Sequence, residues 1–192
     1  EGGNLTKIAY EPGKSASVRV YKQWDGFEEG IVKAHVSNDT LYVTFPNTYK
    51  DQYEKDWLSW NTLVRIFSPQ LLSVNGVNTN LELYKFNQEK LDVNISGKSV
   101  FEVETMDASL DSLRIHASDS SEVVFEMSPD VKREGTFHVN AVDATIKDAS
   151  FLDIGHAQVD SLKLYIADSS GVLLSGGTMK RNQSYNYNKR SE

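Results

Sequence analysis

The chain has 192 residues, of which 24% are charged and 39% are hydrophobic, and its formal net charge is −7 at pH 7. This composition is typical of a folded globular chain and excludes wholesale disorder. The acidic balance offers no basic surface for nucleic acid, and no apolar run is long enough to cross a bilayer. We therefore predict no nucleic-acid partner and no transmembrane segment in this chain. The absence of cysteine excludes disulfides and thiolate chemistry.

The first third of the chain contains short runs in which apolar and polar residues alternate, the pattern of β-strands. These runs occupy residues 17–21, 32–36, 40–45 and 63–67. Asn, Asp, Ser and Gly lie between the runs and form turns, because they bond the local backbone or tolerate left-handed conformations. We expect one domain over residues 17–178, with a lead-in over residues 1–16 and a flexible tail over residues 179–192.

One segment, residues 47–62, has helical rather than strand periodicity. Its four aromatic residues recur at spacings of 4, 4 and 3, which places them on one face of a helix: Tyr49, Tyr53, Trp57 and Trp60. The helix would either cover an open end of the strand stack or, together with Trp24, offer an aromatic platform to a sugar ring or a protein. We keep these four residues and Trp24 as candidate ligand-binding residues. Tyr53 and Trp57 are expected to be mostly buried against the strands, and at least one of Tyr49 and Trp60 is expected to be exposed as an anchor for the ligand.

The second half of the chain repeats itself. Residues 111–126 and 160–175 share seven of sixteen positions, and related stretches occupy residues 72–83, 91–104 and 136–146. The repeats begin at Leu72, Leu91, Leu113, Phe137 and Leu162, with spacings of 19, 22, 24 and 25. Short strands with polar corners at this period predict a β-solenoid, in which each coil buries its apolar face against the next.

Stacked coils would place equivalent residues in columns. Two inward columns are predicted, one of Leu91, Leu113, Phe137 and Leu162, and one of Val93, Ile115, Val139 and Leu164. The recurring Asp-Ser-Ser is interpreted as a corner motif, because its short polar side chains can satisfy the amide groups of the turn.

The outward positions of the same strands predict a polar face. One column holds Asp92, Arg114, His138 and Lys163, and a second holds Asn94, His116, Asn140 and Tyr165. A glycoside hydrolase needs two carboxylates at a defined separation, and this alignment offers only Asp92. His116 and His138 lack the further ligands of a metal site. We predict no catalytic residue, metal or cofactor here, and keep Asp92, Arg114, His116 and His138 as candidate polar-face residues.

The order of these elements resembles that of the bacterial autotransporter adhesin, head GIN domain family. The resemblance covers residues 17–178 and lies in the stretches GIVKAHVSNDTLYVTF, LVRIFSPQLLSVNGVN, VNISGKSVFEVE and ASDSSEVVF. It implies a right-handed β-helix in an exported protein, with no catalytic residues to transfer. Asp119 and Asp168 replace the turn glycine, Gly97, of an earlier repeat, and aspartate tolerates the left-handed region better than most residues. We predict a single-stranded right-handed parallel β-helix with a short helical or loop insertion near residues 47–62.

The expected function is a non-catalytic binding module, exported or attached to the cell surface and adhesin-like by that resemblance. Its partner would be a glycan or a surface protein, or a second copy through the ends of the solenoid. Two alternatives stay open: a polysaccharide-degrading β-helix enzyme on the polar face, and a structural or self-assembling surface scaffold. The missing carboxylate pair argues against the first, and the size in solution would test the second.

Overall fold

The structure, a computed structural model, describes residues 1–2, 7–20, 32–45, 62–85, 87–104, 109–125, 137–155, 157–175 and 178. The aromatic segment lies outside these residues except for Thr62, and so does Trp24. The expected helix and the expected exposure of Tyr49 or Trp60 therefore stay predictions, as does the flexible tail.

Five strands precede the repeats. They are β1 (Lys7–Pro12), β2 (Ser17–Val20), β3 (Lys33–Ser37), β4 (Thr40–Thr44) and β5 (Thr62–Ser68). The last four confirm the strands predicted from alternation. Strand β1 lies in the segment expected as a lead-in, and it pairs in parallel with β5 on one side and with β7 (Asn80–Leu83) on the other. Its residues Ile8, Ala9 and Tyr10 are buried, so part of the predicted lead-in belongs to the sheet.

Ten strands make up the repeats, two to a repeat. They are β6 (Ser73–Val77), β7 (Asn80–Leu83), β8 (Asn87–Ser96), β9 (Val100–Val103), β10 (Ser109–Ala117), β11 (Glu122–Val124), β12 (His138–Ile146), β13 (Phe151–Asp153), β14 (Gln158–Ile166) and β15 (Gly171–Leu173). Among these ten strands, the even-numbered strands pair in parallel with one another, and so do the odd-numbered strands.

The predicted fold, a single right-handed parallel β-helix over residues 17–178, is wrong. The described strands form three separate sheets: an eight-stranded sheet in the order β15-β13-β11-β9-β7-β1-β5-β2, a five-stranded sheet in the order β14-β12-β10-β8-β6, and the hairpin β3-β4. Pairing is mixed, because β2 runs antiparallel to β5 and β3 runs antiparallel to β4. The physical reason is that the chain before β6 does not repeat. It adds antiparallel strands and extends one of the two large sheets but not the other.

The two large sheets share one hydrophobic core. The predicted inward residues Leu113, Ile115, Phe137, Val139 and Leu162 are each at most 8% exposed, which confirms them. Leu164 is only partly buried, because it lies on β14, the edge strand of the five-stranded sheet in the described part of the chain.

The predicted columns through the third repeat are wrong. Leu113 lies beside Val142 rather than Phe137, and Ile115 lies beside Ala144 rather than Val139. The equivalent starting residues are therefore Leu72, Leu91, Leu113, Val142 and Leu162, and the last two spacings become 29 and 20.

A shared kink explains this error. Each of the strands β8, β10, β12 and β14 has one point at which two successive side chains avoid the core. The pairing register skips one residue of each strand at this point, in strand order Glu89, Asp111, Asn140 and Asp160. The inward phase of the alternation reverses there, since an extra residue turns every later side chain to the other face. Phe137 and Val139 precede the kink of β12, whereas Leu113 and Ile115 follow the kink of β10.

The corner motif is confirmed as a structural ladder. The hydroxyls of Ser99, Ser150 and Ser170 each accept a hydrogen bond from an amide of the preceding repeat, at 3.0, 3.1 and 3.2 Å respectively. Ser121 donates to the carbonyls of Ser118 and Gly97 at 2.7 and 2.9 Å. These serine hydroxyls therefore satisfy backbone groups at the turns.

Replacing one buried corner serine should measurably destabilise the protein. Ser150 is 1% exposed and accepts from the Ser121 amide, so Ser150→Ala should lower the free energy of unfolding by about 1–3 kcal/mol through an unsatisfied buried amide. Ser169→Ala, at an exposed turn position, is the matched control and should change it by less than about 0.5 kcal/mol. Urea denaturation measures both, and equal losses would contradict a role for the ladder.

Candidate functional site

The outward face of the five-stranded sheet carries a column of alternating charges, which we call the charge column. It consists of Asp92, Arg114, Asp143 and Lys163, on β8, β10, β12 and β14. The Arg114 guanidinium lies 3.7 Å from Asp92, and the Lys163 ammonium lies 2.9 Å from Asp143. Each charge in the column therefore has an opposite charge on a neighbouring strand.

A second column, which we call the hydrogen-bonding column, lies two residues further along each strand than the charge column. It consists of Asn75, Asn94, His116, Thr145 and Tyr165, one from each strand of the sheet. All are exposed except Thr145, which is partly exposed. The Asn94 amide donates to the Asn75 side-chain carbonyl at 3.3 Å. Within the described ranges we find no side-chain partner for His116, Thr145 or Tyr165, so their polar groups are available to a ligand.

His138 does not belong to the predicted column. It lies before the kink, where it registers with Ser109 and Gln158, and its Nε2 lies 2.9 Å from the Asp160 carboxylate. Asn140, predicted in the second column, lies at the kink itself and donates to Asp111 at 2.9 Å. The structure thus brings Asp92, Arg114 and His116 together and separates His138 from them.

The face holds more carboxylates than the sequence alignment indicated. The prediction of Asp92 alone is wrong, because the corrected register puts Asp143 into the same column, and Asp111 and Asp160 lie at the kink. Each of these four carboxylates contacts a cationic or hydrogen-bonding side chain. A general acid instead needs surroundings that keep its proton on, usually a poorly solvated apolar site.

A second cluster lies at the junction of β1, β7 and β9, where sequence reasoning predicted nothing. The carboxylates of Glu82, Glu102 and Glu104 offer oxygens that all lie within 4.8 Å of one another. Glu82 is 0% exposed, although it alternates along β7 with the core residues Leu81 and Leu83 and therefore lies on the other face of the sheet. The Lys7 ammonium contacts Glu82, and the Tyr84 hydroxyl donates to the other oxygen of Glu82 at 2.5 Å.

The pKa values of two groups are raised in this cluster. Burial raises the pKa of Tyr84, and hydrogen bonds to Glu82 and Glu104, with the negative charge of both, raise it further. Burial alone would lower the pKa of Lys7, but the hydrogen bond with Glu82 and the charges of Glu82, Glu102 and Glu104 outweigh burial and raise it. Both groups therefore hold their protons more tightly in the folded protein than in the unfolded chain.

Three clustered carboxylates are also what a hard divalent cation would require. Here the ammonium of Lys7 already contacts the most buried carboxylate, so the chain supplies its own cation. The ion pair between Lys7 on β1 and Glu82 on β7 joins the first strand to the repeats, and this location explains why the cluster is there. We assign the cluster a structural role.

Stability should fall steeply in alkaline solution. The pKa values of Lys7 and Tyr84 are raised above 10.5 and 10.0, so their contribution is complete below those values and is lost as the pH rises above them. Urea unfolding across this range measures the fall. Tyr84→Phe should flatten it and cost about 1–3 kcal/mol at neutral pH, because buried Glu82 loses a donor. Tyr165→Phe, at an exposed phenol, should change neither quantity.

Most of the candidate residues missed by sequence reasoning are polar residues on strands. Lys7 is far from Glu82 and Tyr84 along the chain, and none of the three belongs to a recognisable motif. Only the pairing of β1 with β7 brings Lys7 to the other two. Asp143 was hidden by the misplaced register. His35, which had no predicted role, stacks on Tyr42 across the β3–β4 hairpin with ring centroids 4.9 Å apart. The predicted binding residues Trp24, Tyr49, Tyr53, Trp57 and Trp60 lie outside the described residues.

Comparison with known proteins adds no assignment to this geometry. Within the residues that the structure describes, no helix has the length and apolar character of a membrane span. No protein-family model, curated protein or solved structure matches the chain.

Proposed function

We propose that this protein is a non-catalytic, exported or surface-attached binding module that binds its ligand on the outward face of the five-stranded sheet. The adhesin-like character rests on the resemblance to the head GIN domain family, and so does export. The choice of this binding surface is based on the two columns of side chains that run across the stacked strands.

One observation carries the proposal: the four charges of the charge column pair with one another, while the hydrogen-bonding column beside it is at least partly exposed at every position and contains no Lys, Arg, Asp or Glu. Exposed donors and acceptors without intramolecular partners can exchange water for a ligand at little cost. Carboxylates engaged in ion pairs are poorly suited to proton transfer. Together these properties favour binding over catalysis.

The rival enzymatic function has one feature in its favour. Asp92 and Asp143 lie in one column two strands apart, which corresponds to about 10 Å between backbones. Inverting glycosidases place their two carboxyl groups at about 6.5–9.5 Å. Arg114, however, lies between the two strands and pairs with Asp92, so a substrate would have to displace an ion pair to reach both.

The experiment is a binding screen against immobilised glycans and surface proteins, with wild-type protein and the variant His116→Ala/Asn94→Ala. We expect wild-type protein to bind and the variant to lose affinity, while Glu122→Ala, at an exposed position of the opposite sheet, keeps it. The same glycans are assayed for new reducing ends. Cleavage that is lost in Asp92→Asn or Asp143→Asn would overturn the non-catalytic proposal, and binding that survives in the double variant would overturn the proposed surface.

A further inference from the structure

We infer that the ligand of the hydrogen-bonding column is a linear, uncharged polysaccharide that lies across the strands of the five-stranded sheet. This inference rests on the proposed function, since it names the class of ligand for the same surface. It follows from the spacing of the column, from its chemistry and from the charge balance of its neighbour.

The spacing indicates an extended, repeating ligand. Each of the five strands contributes one side chain to the column, and the parallel register keeps them side by side. Adjacent strands lie about 4.8 Å apart, so the column is about 19 Å long. A ligand that contacts all five positions must run perpendicular to the strands and present a similar group at each step, as the successive sugar units of a linear chain do.

The chemistry of the column suits hydroxyl groups. Asn75 and Asn94 each offer an amide that both donates and accepts, Thr145 and Tyr165 offer hydroxyls that do the same, and His116 offers ring nitrogens. Sugar hydroxyls also donate and accept. The exposed rings of His116 and Tyr165 can in addition pack against the apolar face of a sugar ring.

The charge balance argues against a polyanion. Recognition of a polyanion requires an excess of Lys and Arg along the contact, and its affinity falls steeply with salt. The charge column instead contains two acids and two bases that are paired with each other. An uncharged chain can lie beside these pairs without breaking them.

The composition of the face also argues against a protein partner. Protein interfaces are centred on a core of apolar and aromatic side chains. The two columns contain a single large aromatic residue, Tyr165, and it lies on β14, the last strand of the sheet in the part of the chain that the structure describes, rather than at the centre. The centre is occupied by Arg114 and His116, both exposed and polar.

The test is calorimetric titration of the full chain with soluble linear β-glucan, xylan and mannan oligosaccharides of increasing length. We expect affinity for at least one series to rise with length until the chain spans five strands and then to level off. Affinity should be the same in low and high salt. His116→Ala, Asn94→Ala and Tyr165→Ala should each weaken binding by about two- to tenfold, the value of one net hydrogen bond, and Glu122→Ala should not.

The other outcomes identify what has failed. Tighter binding of polygalacturonate than of the uncharged series, with a steep salt dependence and sensitivity to the same three variants, would overturn the uncharged ligand but keep the surface. Binding of a protein that is sensitive to these variants would overturn the polysaccharide and keep the binding function. Binding that is indifferent to all three variants, or no binding in any series, would overturn this inference together with the proposed surface.

Discussion

Leu113→Ala should lower the free energy of unfolding by about 2–5 kcal/mol. The Leu113 side chain is 1% exposed, and β10, which carries it, is the central strand of the five-stranded sheet. Truncation therefore removes apolar contacts and leaves a cavity that neighbours on both sides hold open, which adds to the lost transfer free energy. This loss is a large part of the 5–15 kcal/mol that stabilises a typical domain.

Leu164→Ala is the matched control for this prediction. It is the same chemical change on β14, the last of the described strands of the same sheet, where the side chain is only partly buried. We expect a loss of less than about 2 kcal/mol, because less apolar surface returns to water and the edge can relax. Denaturant unfolding of both variants decides the matter. Equal losses would mean that the end of the stack at β14 is covered as completely as its centre.

Lys7→Met should cost about 3–5 kcal/mol, because it leaves the buried Glu82 carboxylate beside Glu102 and Glu104 without its cation. Methionine keeps much of the length and apolar surface of the lysine stem, so that the lost charge dominates the effect. The Glu82 side chain is 1% exposed, and water cannot replace the ammonium there without opening the contact between β1 and β7.

Lys163→Met provides the comparison for an exposed ion pair. The Lys163 side chain is 75% exposed in its pair with Asp143, so we expect a change of less than about 1 kcal/mol. The double variant Lys7→Met/Glu82→Gln should recover part of the loss of Lys7→Met, since it removes the uncompensated buried charge. A loss in Lys7→Met no larger than in Lys163→Met would show that Glu82 is hydrated in the folded protein.

The sequence predicts the polar face in part. Asp92, Arg114 and His116 do lie together on one face, because β8 and β10 are aligned by residues that follow the kink in both strands. His138 was placed among them because the alternating residues 137, 139 and 141 match a strand whichever side of a kink they occupy. Local periodicity carries no information about which residue a distant strand will face.

The sequence by itself determined most of the strands, their approximate repeat, most of the buried apolar residues and the serine corners, because alternation and turn chemistry are local properties of a few successive residues. Only the tertiary structure decided the division into three sheets, the insertion of β1 between β5 and β7, and the meeting of Lys7 with Glu82. The placement of β1 and the contact of Lys7 with Glu82 depend on pairing between segments more than fifty residues apart along the chain. Such pairing is selected by how the whole set of strands buries its apolar faces and satisfies its edges, and no short stretch of sequence records that choice.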